Sequence, residues 1–224
     1  MLILEAILFD LDGTLIDTAP DMVGALNDVR RADALPPVDY ESARAQVSNG
    51  ALGLIDLAYD NLTEAERLSL RERFLDTYAR RVAQDTVLFP GMAEILEELE
   101  SAQTPWGIVT NKPGALTDAL LAALQLQHRC ACVVSGDTLE RRKPHPDPLL
   151  HAARYIGVAS TAAMYVGDAT RDIQAGKAAG MITVAAAYGY VEPGERPHDW
   201  DADYAINAPH DLGPVLKRHG AIAG

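Results

Sequence analysis

Short apolar runs, each closed by polar residues, alternate along this chain with helical patterns. The runs lie at residues 4–9, 106–110, 163–168 and 182–185, with a weaker one at 132–134. Buried parallel strands have this pattern of continuous apolar residues bounded by turn-forming ones. Strands that alternate with helices predict an α/β fold with helices on both faces of a parallel sheet. Because ligands bind such sheets at the carboxyl ends of the strands, the polar residues that close each run are candidates for a site.

One stretch interrupts this alternation. Residues 18–84 carry only helical patterns and turns, with apolar positions spaced for helix faces. We therefore predict a small α-helical insertion over 18–84. Residues 1–17 and 85–224 would then form the α/β core.

Composition and charge narrow the class of partner. The chain has 224 residues, a formal net charge of −13 and no long run of Lys and Arg. Neither the basic patch of a nucleic-acid binder nor the basic amphipathic helix of a membrane-surface binder is visible. No apolar run reaches membrane-spanning length, and the first ten residues are typical of a buried strand rather than a signal peptide. We expect no nucleic-acid or membrane partner, and a monomer or homodimer.

Cysteine usage bears on the cellular compartment. Cys130 and Cys132 are separated by one residue, which is too close for the usual metal knuckle. Two half-buried thiols in a short strand imply no disulfide framework, and this suits a reducing cytoplasm. We therefore expect a cytoplasmic protein.

Two pairs of carboxylates follow predicted strands. Asp10 and Asp12 close the first run, and Asp168 and Asp172 follow a later one. Two neighbouring carboxylates do not both stay ionised cheaply unless a cation lies between them or one holds a proton. The spacing of Asp168 and Asp172 puts both on one face of a helix that begins there. Sheet geometry would gather all four carboxylates at one edge, where oxygen ligands make a reasonable magnesium site.

Three further polar residues suit the binding of a phosphate. Lys143 precedes a predicted helix, and its charge would neutralise crowded carboxylates and a phosphate. Thr110 and Asn111 close a strand just before a helix that starts near Pro113, whose positive end favours anions. Taken alone, each residue can also be explained as a helix cap, a turn former or a surface lysine. Their ordered combination with the carboxylates is what favours a functional site.

In this order the motifs resemble those of the haloacid dehalogenase superfamily of phosphohydrolases. The matching segments are residues 9–18, FDLDGTLIDT; 109–112, VTNK; 143–144, KP; and 167–172, GDATRD. They span nearly the whole chain in the family's order. The resemblance implies a HAD-like Rossmannoid parallel sheet with an inserted small α-helical cap. It also implies a phosphoric monoester hydrolase that acts on a small phosphorylated metabolite.

The resemblance further implies catalytic roles. Asp10 would attack phosphorus and form an aspartyl phosphate, and Asp12 would protonate the leaving alcohol and then activate water. Thr110 and Lys143 would hold the transferring phosphoryl group. A carboxylate nucleophile that splits hydrolysis into two displacements is consistent with this chemistry.

A metal is implied as well. Mg²⁺ would be bound by the Asp10 carboxylate, the Asp12 main-chain carbonyl and Asp168, with Asp172 in support. One departure concerns Ala169, since many relatives carry a polar residue directly after the aspartate that matches Asp168. This departure predicts weaker metal affinity if the relatives' polar residue holds metal-bound water.

The sequence indicates the substrate less specifically than it indicates the reaction. The segment Ser48, Asn49, Gly50 matches a substrate-facing cap loop of phosphoglycolate phosphatases, although a plain turn explains it equally well. The C-terminal stretch around Tyr188 and Trp200 resembles N-acetylmuramic acid 6-phosphate phosphatases of cell-wall recycling, and both aromatics fit packing roles too. Phosphoglycolate or a related sugar phosphate is the first expectation, and the amino-sugar phosphate is the alternative.

A phosphomutase, a dehalogenase and a non-catalytic binding protein are the alternatives to a phosphatase on this fold. A β-phosphoglucomutase-like phosphomutase shares all four motifs and is the harder alternative to exclude. A dehalogenase lacks the acid/base residue that Asp12 supplies. A non-catalytic binding protein on this scaffold would be expected to have lost Asp10 or Asp12, and both are present.

Overall fold

The computed structural model describes residues 3–223. Its strands are β1 (Ala6–Phe9), β2 (Ile16–Asp17), β3 (Val87–Leu88), β4 (Trp106–Val109), β5 (Cys132–Val134), β6 (Ala163–Gly167), β7 (Ile182–Ala186) and β8 (Tyr204–Ile206). Its helices are α1 (Ala19–Ala32), α2 (Tyr40–Gln46), α3 (Gly50–Ala58), α4 (Glu64–Ala79), α5 (Met92–Ser101), α6 (Gly114–Ala123), α7 (Asp147–Ile156), α8 (Thr170–Ala178) and α9 (Leu212–Arg218). Among these residues, no helix combines the length and apolar character needed to cross a bilayer.

The main sheet has six strands in the order β5-β4-β1-β6-β7-β8, and each neighbouring pair is parallel. Apolar clusters cover both faces. Ile7 and Phe9 of β1 share one buried cluster with Ile95 of α5, and the alternate residue Leu8 shares the other with Leu149 of α7. A strand buried on both faces needs apolar side chains throughout, which explains the continuous runs. The predicted α/β class is confirmed.

Helices α1 to α4 lie between β2 and β3, which pair antiparallel. A capping box between Thr63 and Glu66 starts α4, and side chains such as Leu26 of α1 and Phe74 of α4 are fully buried. They belong to the same apolar cluster as Phe9 of the sheet. The helical region therefore packs directly onto the α/β part. Its boundaries at residues 18 and 84 stay a prediction.

A buried carboxylate joins the two connections of this helical region. Asp21 of α1 accepts hydrogen bonds from the backbone N–H groups of Asp85 and Thr86 and from the Thr86 hydroxyl, at 2.7–3.2 Å. Hydrogen bonds to both sides of the carboxylate compensate its burial. The chain consequently enters and leaves the helical region at one fixed point.

Several short elements were not predicted from the sequence. Strand β8 has three residues at the sheet edge, and β2 and β3 have two residues each. Helix α2 buries only Ala43 and Ala45, so it presents no apolar stripe. Elements this short carry too little periodicity to be recognised.

Candidate active site

Three neighbouring strands of the sheet bring the predicted residues together. Asp10 directly follows β1, Thr110 follows β4 and Asp168 follows β6, and β1 lies between the other two strands. Parallel strands end at the same edge of a sheet, so these three side chains meet there. All three are buried.

The carboxylates of Asp10, Asp168 and Asp172 form a compact acidic cluster. Each offers an oxygen that lies within 4.8 Å of the others. The expectation that Asp168 and Asp172 share one helix face is wrong, because α8 begins only at Thr170. Asp172 instead turns back at the start of α8 and accepts a hydrogen bond from the Ala169 N–H at 3.0 Å. The two carboxylates meet through this cap rather than through helical periodicity.

Lys143, in the loop before α7, neutralises part of this cluster. Its ammonium lies 2.8 Å from oxygens of both Asp10 and Asp172, and its side chain is 0% exposed. It also donates to the Val109 carbonyl at 2.9 Å and to the Tyr165 hydroxyl at 2.7 Å. A buried lysine needs such partners, because an unpaired charge in the interior is expensive.

Negative charge nevertheless remains in excess. Burial raises the pKa of Asp10 above its ordinary 3.8, although Lys143 opposes the shift. Burial, followed by the charges of Asp10 and Asp172, raises the pKa of Asp168 from 3.8 to about 7. The Lys143 ammonium and the nearby Arg171 guanidinium together do not balance three buried carboxylates. This donor set fits a hard divalent cation. Asp12 lies outside this carboxylate cluster, and its contact with a metal through the main-chain carbonyl stays a prediction.

Two glycines let the backbone close tightly around Asp168. A Cβ added at Gly13 would lie 2.0 Å from the Asp168 Oδ2 atom, and one at Gly189 would lie 2.3 Å from its Cβ. Gly13 also has a φ of +82°, which L side chains rarely adopt. The Gly-Thr turn after Asp12 is therefore required both by backbone conformation and by space.

A second charged pair, not predicted from the sequence, surrounds Asp12. The Lys112 ammonium donates to Asp12 Oδ1 at 2.9 Å and to the Tyr78 hydroxyl at 3.0 Å. The Thr18 hydroxyl donates to the same Asp12 oxygen at 2.6 Å. Asp12 and Tyr78 raise the pKa of Lys112 above its ordinary value despite burial, which by itself lowers it. Lys112 belongs to the segment VTNK, but its partner Tyr78 is distant in sequence and gave no signal.

The two remaining predicted phosphate ligands, Thr110 and Asn111, differ in how far their side chains are already hydrogen-bonded within the protein. The Thr110 hydroxyl accepts from the Lys112 N–H at 3.1 Å and lines the cavity described below. The Asn111 amide is committed to the backbone of Lys143, with hydrogen bonds of 3.0 and 3.1 Å. Asn111 therefore shapes the Lys143 loop in addition to lining the cavity.

The predicted cap loop reaches the acidic cluster from the helical region. The Ser48 hydroxyl donates to Asp168 Oδ2 at 2.7 Å, and the Ser48 carbonyl accepts from Arg171 at 2.6 Å. The Asn49 amide donates to Gln46 and Glu192 at 2.9 and 2.6 Å. Gly50 has a φ of +69° and open space around its Cα. Arg171, within the motif GDATRD, joins this loop to the core, a role that the sequence alone does not indicate.

A cavity of about 660 Å³ lies between the helical region and the strand ends. Asp10, Asp12, Thr110 and Lys143 line it from the α/β part. Residues from the helical region line the other side: Met22, Val47, Ser48, Asn49, Gly50, Ala51, Leu52, Arg71, Leu75 and Tyr78. A concave site at such a boundary is where small ligands bind.

The two C-terminal aromatics lie outside this cavity lining. Tyr188 donates from its hydroxyl to the Thr14 carbonyl at 2.8 Å and packs edge-on against Phe89, with ring centroids 5.1 Å apart. Trp200 lies in the connection before β8. Tyr188 thus has a packing role, which is one of the two interpretations that its sequence context allowed.

The whole arrangement agrees with comparisons to known proteins. A model of the family described as haloacid dehalogenase-like hydrolase matches residues 7–186. The chain belongs to the haloacid dehalogenase-like hydrolases. The resemblance inferred from the sequence is therefore confirmed.

Curated relatives and a solved structure refine this assignment. A phosphoglycolate phosphatase of Xanthomonas campestris pv. campestris (strain 8004) is 45% identical over 208 residues, which is 93% of this chain and 94% of the relative. An N-acetylmuramic acid 6-phosphate phosphatase of Pseudomonas aeruginosa is 39% identical over 216 residues and 96% of each chain. A crystal structure of a predicted phosphoglycolate phosphatase from Haemophilus somnus 129pt matches with a TM-score of 0.85 and 28% identity, over 95% of this chain and 97% of that one. The predicted enzyme class, a phosphoric monoester hydrolase, is confirmed.

Proposed function

We propose that this haloacid dehalogenase-like hydrolase is a Mg²⁺-dependent phosphomonoesterase that uses Asp10 as a covalent nucleophile. The observation that carries the proposal is the position of Asp10. It lies at the end of a central strand, faces the cavity and contacts the buried Lys143 ammonium at 2.8 Å. The general acid/base Asp12 lines the same cavity two residues later. We also propose that the enzyme works in the cytoplasm, as a monomer or homodimer.

The chain's own residues account for both displacements. Asp10 attacks phosphorus as the bond to the leaving oxygen breaks, and Asp12 gives that oxygen a proton. Water then attacks the aspartyl phosphate while Asp12 takes a proton from it, which regenerates the Asp10 carboxylate. Lys143 and Thr110 hold the phosphoryl oxygens, because positioning and positive charge supply most of the catalysis in phosphoryl transfer.

A divalent cation completes the charge balance of the site. The Asp10 and Asp168 carboxylates and the Asp12 main-chain carbonyl are the proposed ligands, with Asp172 in support. When bound, the metal supplies positive charge to the phosphoryl group and to the buried carboxylates. Asp172 also holds Lys143 in its position, since their 2.8 Å contact is fully buried.

The proposed substrate is 2-phosphoglycolate or a related small sugar phosphate. The relative at 45% identity supports phosphoglycolate. The second candidate is N-acetylmuramic acid 6-phosphate, which the Pseudomonas relative supports. The cavity of about 660 Å³ falls within the range of about 300–1,000 Å³ typical of sites for much larger ligands than phosphoglycolate. Size therefore permits either substrate.

Phosphate release with Mg²⁺, measured for both compounds at equal low concentration, tests the proposal. We expect strong preference for 2-phosphoglycolate, and no release by the Asp10→Asn variant with either compound. Preference for the amino-sugar phosphate would assign the second function. Unchanged release by Asp10→Asn would refute the covalent mechanism, provided that its circular dichroism spectrum matches that of the wild type.

A further inference from the structure

Lys112 is a buried cation to which the mechanism above gives no task. Its side chain is only 4% exposed, and its ammonium forms an ion pair with Asp12 at 2.9 Å. Burying an ammonium costs several kcal/mol unless its partners compensate. Because this burial is costly, we expect Lys112 to have a function next to the acid/base residue.

The other partner of Lys112 comes from the helical region. The Tyr78 hydroxyl of α4 accepts from the ammonium at 3.0 Å, and the Tyr78 ring lies under it at 4.5 Å from the centroid. Tyr78 is itself 1% exposed and stacks on Phe74, with centroids 6.2 Å apart. Lys112 is therefore fixed from both sides, by Asp12 in the core and by a rigid aromatic pair in α4.

The two carboxylate oxygens of Asp12 differ in the hydrogen bonds that they accept. Oδ1 accepts from both Lys112 at 2.9 Å and Thr18 at 2.6 Å. Within residues 3–223, Oδ2 receives no hydrogen bond, although Asp12 lines the cavity. Two donors on one oxygen restrict the rotation of the carboxylate, so Oδ2 is the oxygen left for reaction.

We propose that Lys112 and Tyr78 are positioning residues that lock Asp12 Oδ1 and thereby present Oδ2 as the oxygen that exchanges protons. This inference rests on the proposed function. In the first displacement the proton moves from Oδ2 to the leaving oxygen as its bond to phosphorus breaks and the Asp10–phosphorus bond forms. In the second, Oδ2 takes a proton from the attacking water as the Asp10–phosphorus bond breaks. Neither Lys112 nor Tyr78 gains or loses a proton.

The arrangement makes proton transfer depend on α4. Because Tyr78 belongs to α4, its contact with Lys112 links the helical region to the acid/base residue. The proton donor is consequently aligned when the cavity is covered, which protects the aspartyl phosphate chemistry from misdirected water.

A pair of substrates with different leaving groups separates this role from a structural one. The alkoxide of 2-phosphoglycolate must be protonated as it leaves, whereas the acetate of acetyl phosphate leaves without a proton. Because general acid catalysis contributes about 10²–10⁴-fold, we expect Lys112→Met to lower the rate of aspartyl-phosphate formation from 2-phosphoglycolate, measured as glycolate release in a single turnover, by about 100-fold. The same variant should lower single-turnover release of acetate from acetyl phosphate by less than about fivefold, since that leaving group needs no general acid. Measuring the leaving group in a single turnover excludes the hydrolysis of the aspartyl phosphate, which is common to both substrates. Tyr78→Phe, which keeps the ring, should give the same split at about three- to tenfold.

Two variants outside the cavity serve as controls. Lys177→Met and Tyr59→Phe, which alter a surface lysine and a tyrosine paired with Asp33 outside the cavity, should leave both activities unchanged. Equal losses in the single-turnover release of the two leaving groups, or weaker binding of 2-phosphoglycolate with an unchanged rate of glycolate release, would overturn the positioning role. If Lys112→Met does not fold, the isosteric Tyr78→Phe decides by the same criterion. A wild type inactive on both substrates and on N-acetylmuramic acid 6-phosphate would instead refute the proposed function itself.

Discussion

Replacing Asp168 by asparagine is expected to stabilise the metal-free protein while abolishing its activity. Asp168 is 1% exposed and accepts hydrogen bonds from the Tyr190 N–H at 2.8 Å and the Ser48 hydroxyl at 2.7 Å. An asparagine oxygen accepts from both donors equally well. Its amide would face the Thr14 hydroxyl, which lies 3.4 Å from the other carboxylate oxygen and is able to accept. The substitution thus removes a charge without removing the hydrogen bonds.

The magnitude follows from the raised pKa of Asp168. Its pKa rises from 3.8 to about 7 on folding, first through burial and then through Asp10 and Asp172. Tenfold in proton affinity corresponds to about 1.4 kcal/mol, so ionising this group costs the folded state about 4 kcal/mol at most. The associated stability is present below pH 4, where the carboxyl is protonated in both states, and is lost as the pH rises to 7. An asparagine side chain does not titrate and avoids this loss.

Urea unfolding in EDTA measures the effect. At pH 8 we expect Asp168→Asn to be more stable than the wild type by up to about 4 kcal/mol, and at pH 5 by less than half of that. Mg²⁺ should then stabilise the wild type but not the variant, because ligand binding to the folded state contributes about 2.7 kcal/mol at 100 times Kd. The exposed Asp60→Asn should change neither quantity. A variant no more stable than the wild type at pH 8, or an advantage that does not shrink at pH 5, would refute the electrostatic reasoning.

Three further changes test other parts of the molecule. Chelation by EDTA should silence phosphate release and added Mg²⁺ should restore it; full activity without metal would rule out the carboxylate site. Lys143→Met should abolish phosphate release and destabilise the protein by about 3–5 kcal/mol, because it leaves buried carboxylates without their ammonium. Urea unfolding should show a smaller deficit at pH 5 than at pH 8, since burial raises the pKa of Asp10; an equal deficit would contradict this cause. Phe74→Ala should cost about 3–5 kcal/mol of unfolding free energy, whereas the exposed Leu68→Ala should cost much less; similar thermal shifts for the two would contradict the described packing.

The parts of the fold that the sequence predicts are those with strong local patterns. Strands β1, β4 and β6 are buried on every residue, so each reads as an uninterrupted apolar run. Asp10, Thr110 and Asp168 follow these strands directly, and topology alone brings them together. Helix α2 is short and weakly apolar, and strand β8 has only three residues. The formation of both depends on neighbours that the local sequence does not reveal.

The parts of the site that escape prediction depend on distant contacts. Lys112 has the same local signature as a surface lysine, and it is buried because Tyr78 from α4 lies over it. Asp168 and Asp172 were expected to meet on a helix face and meet instead through the N-terminal cap of α8. The sequence predicted that these two carboxylates lie close together, which the structure shows, but it did not reveal the geometry that joins them.

The carboxylate of Asp21 has a consequence for any attempt to exchange helical regions between relatives. It ties the departing chain at α1 to the returning chain at Asp85 and Thr86 through hydrogen bonds of 2.7–3.2 Å. A transplanted region whose ends lacked this pair would be tied to the core at its connections only by the two-residue pairing of β2 with β3, which fixes its orientation less firmly. Grafts that carry Asp21 and Thr86 together should keep a single pivot, and with it the alignment of donor helices over the recipient's strands.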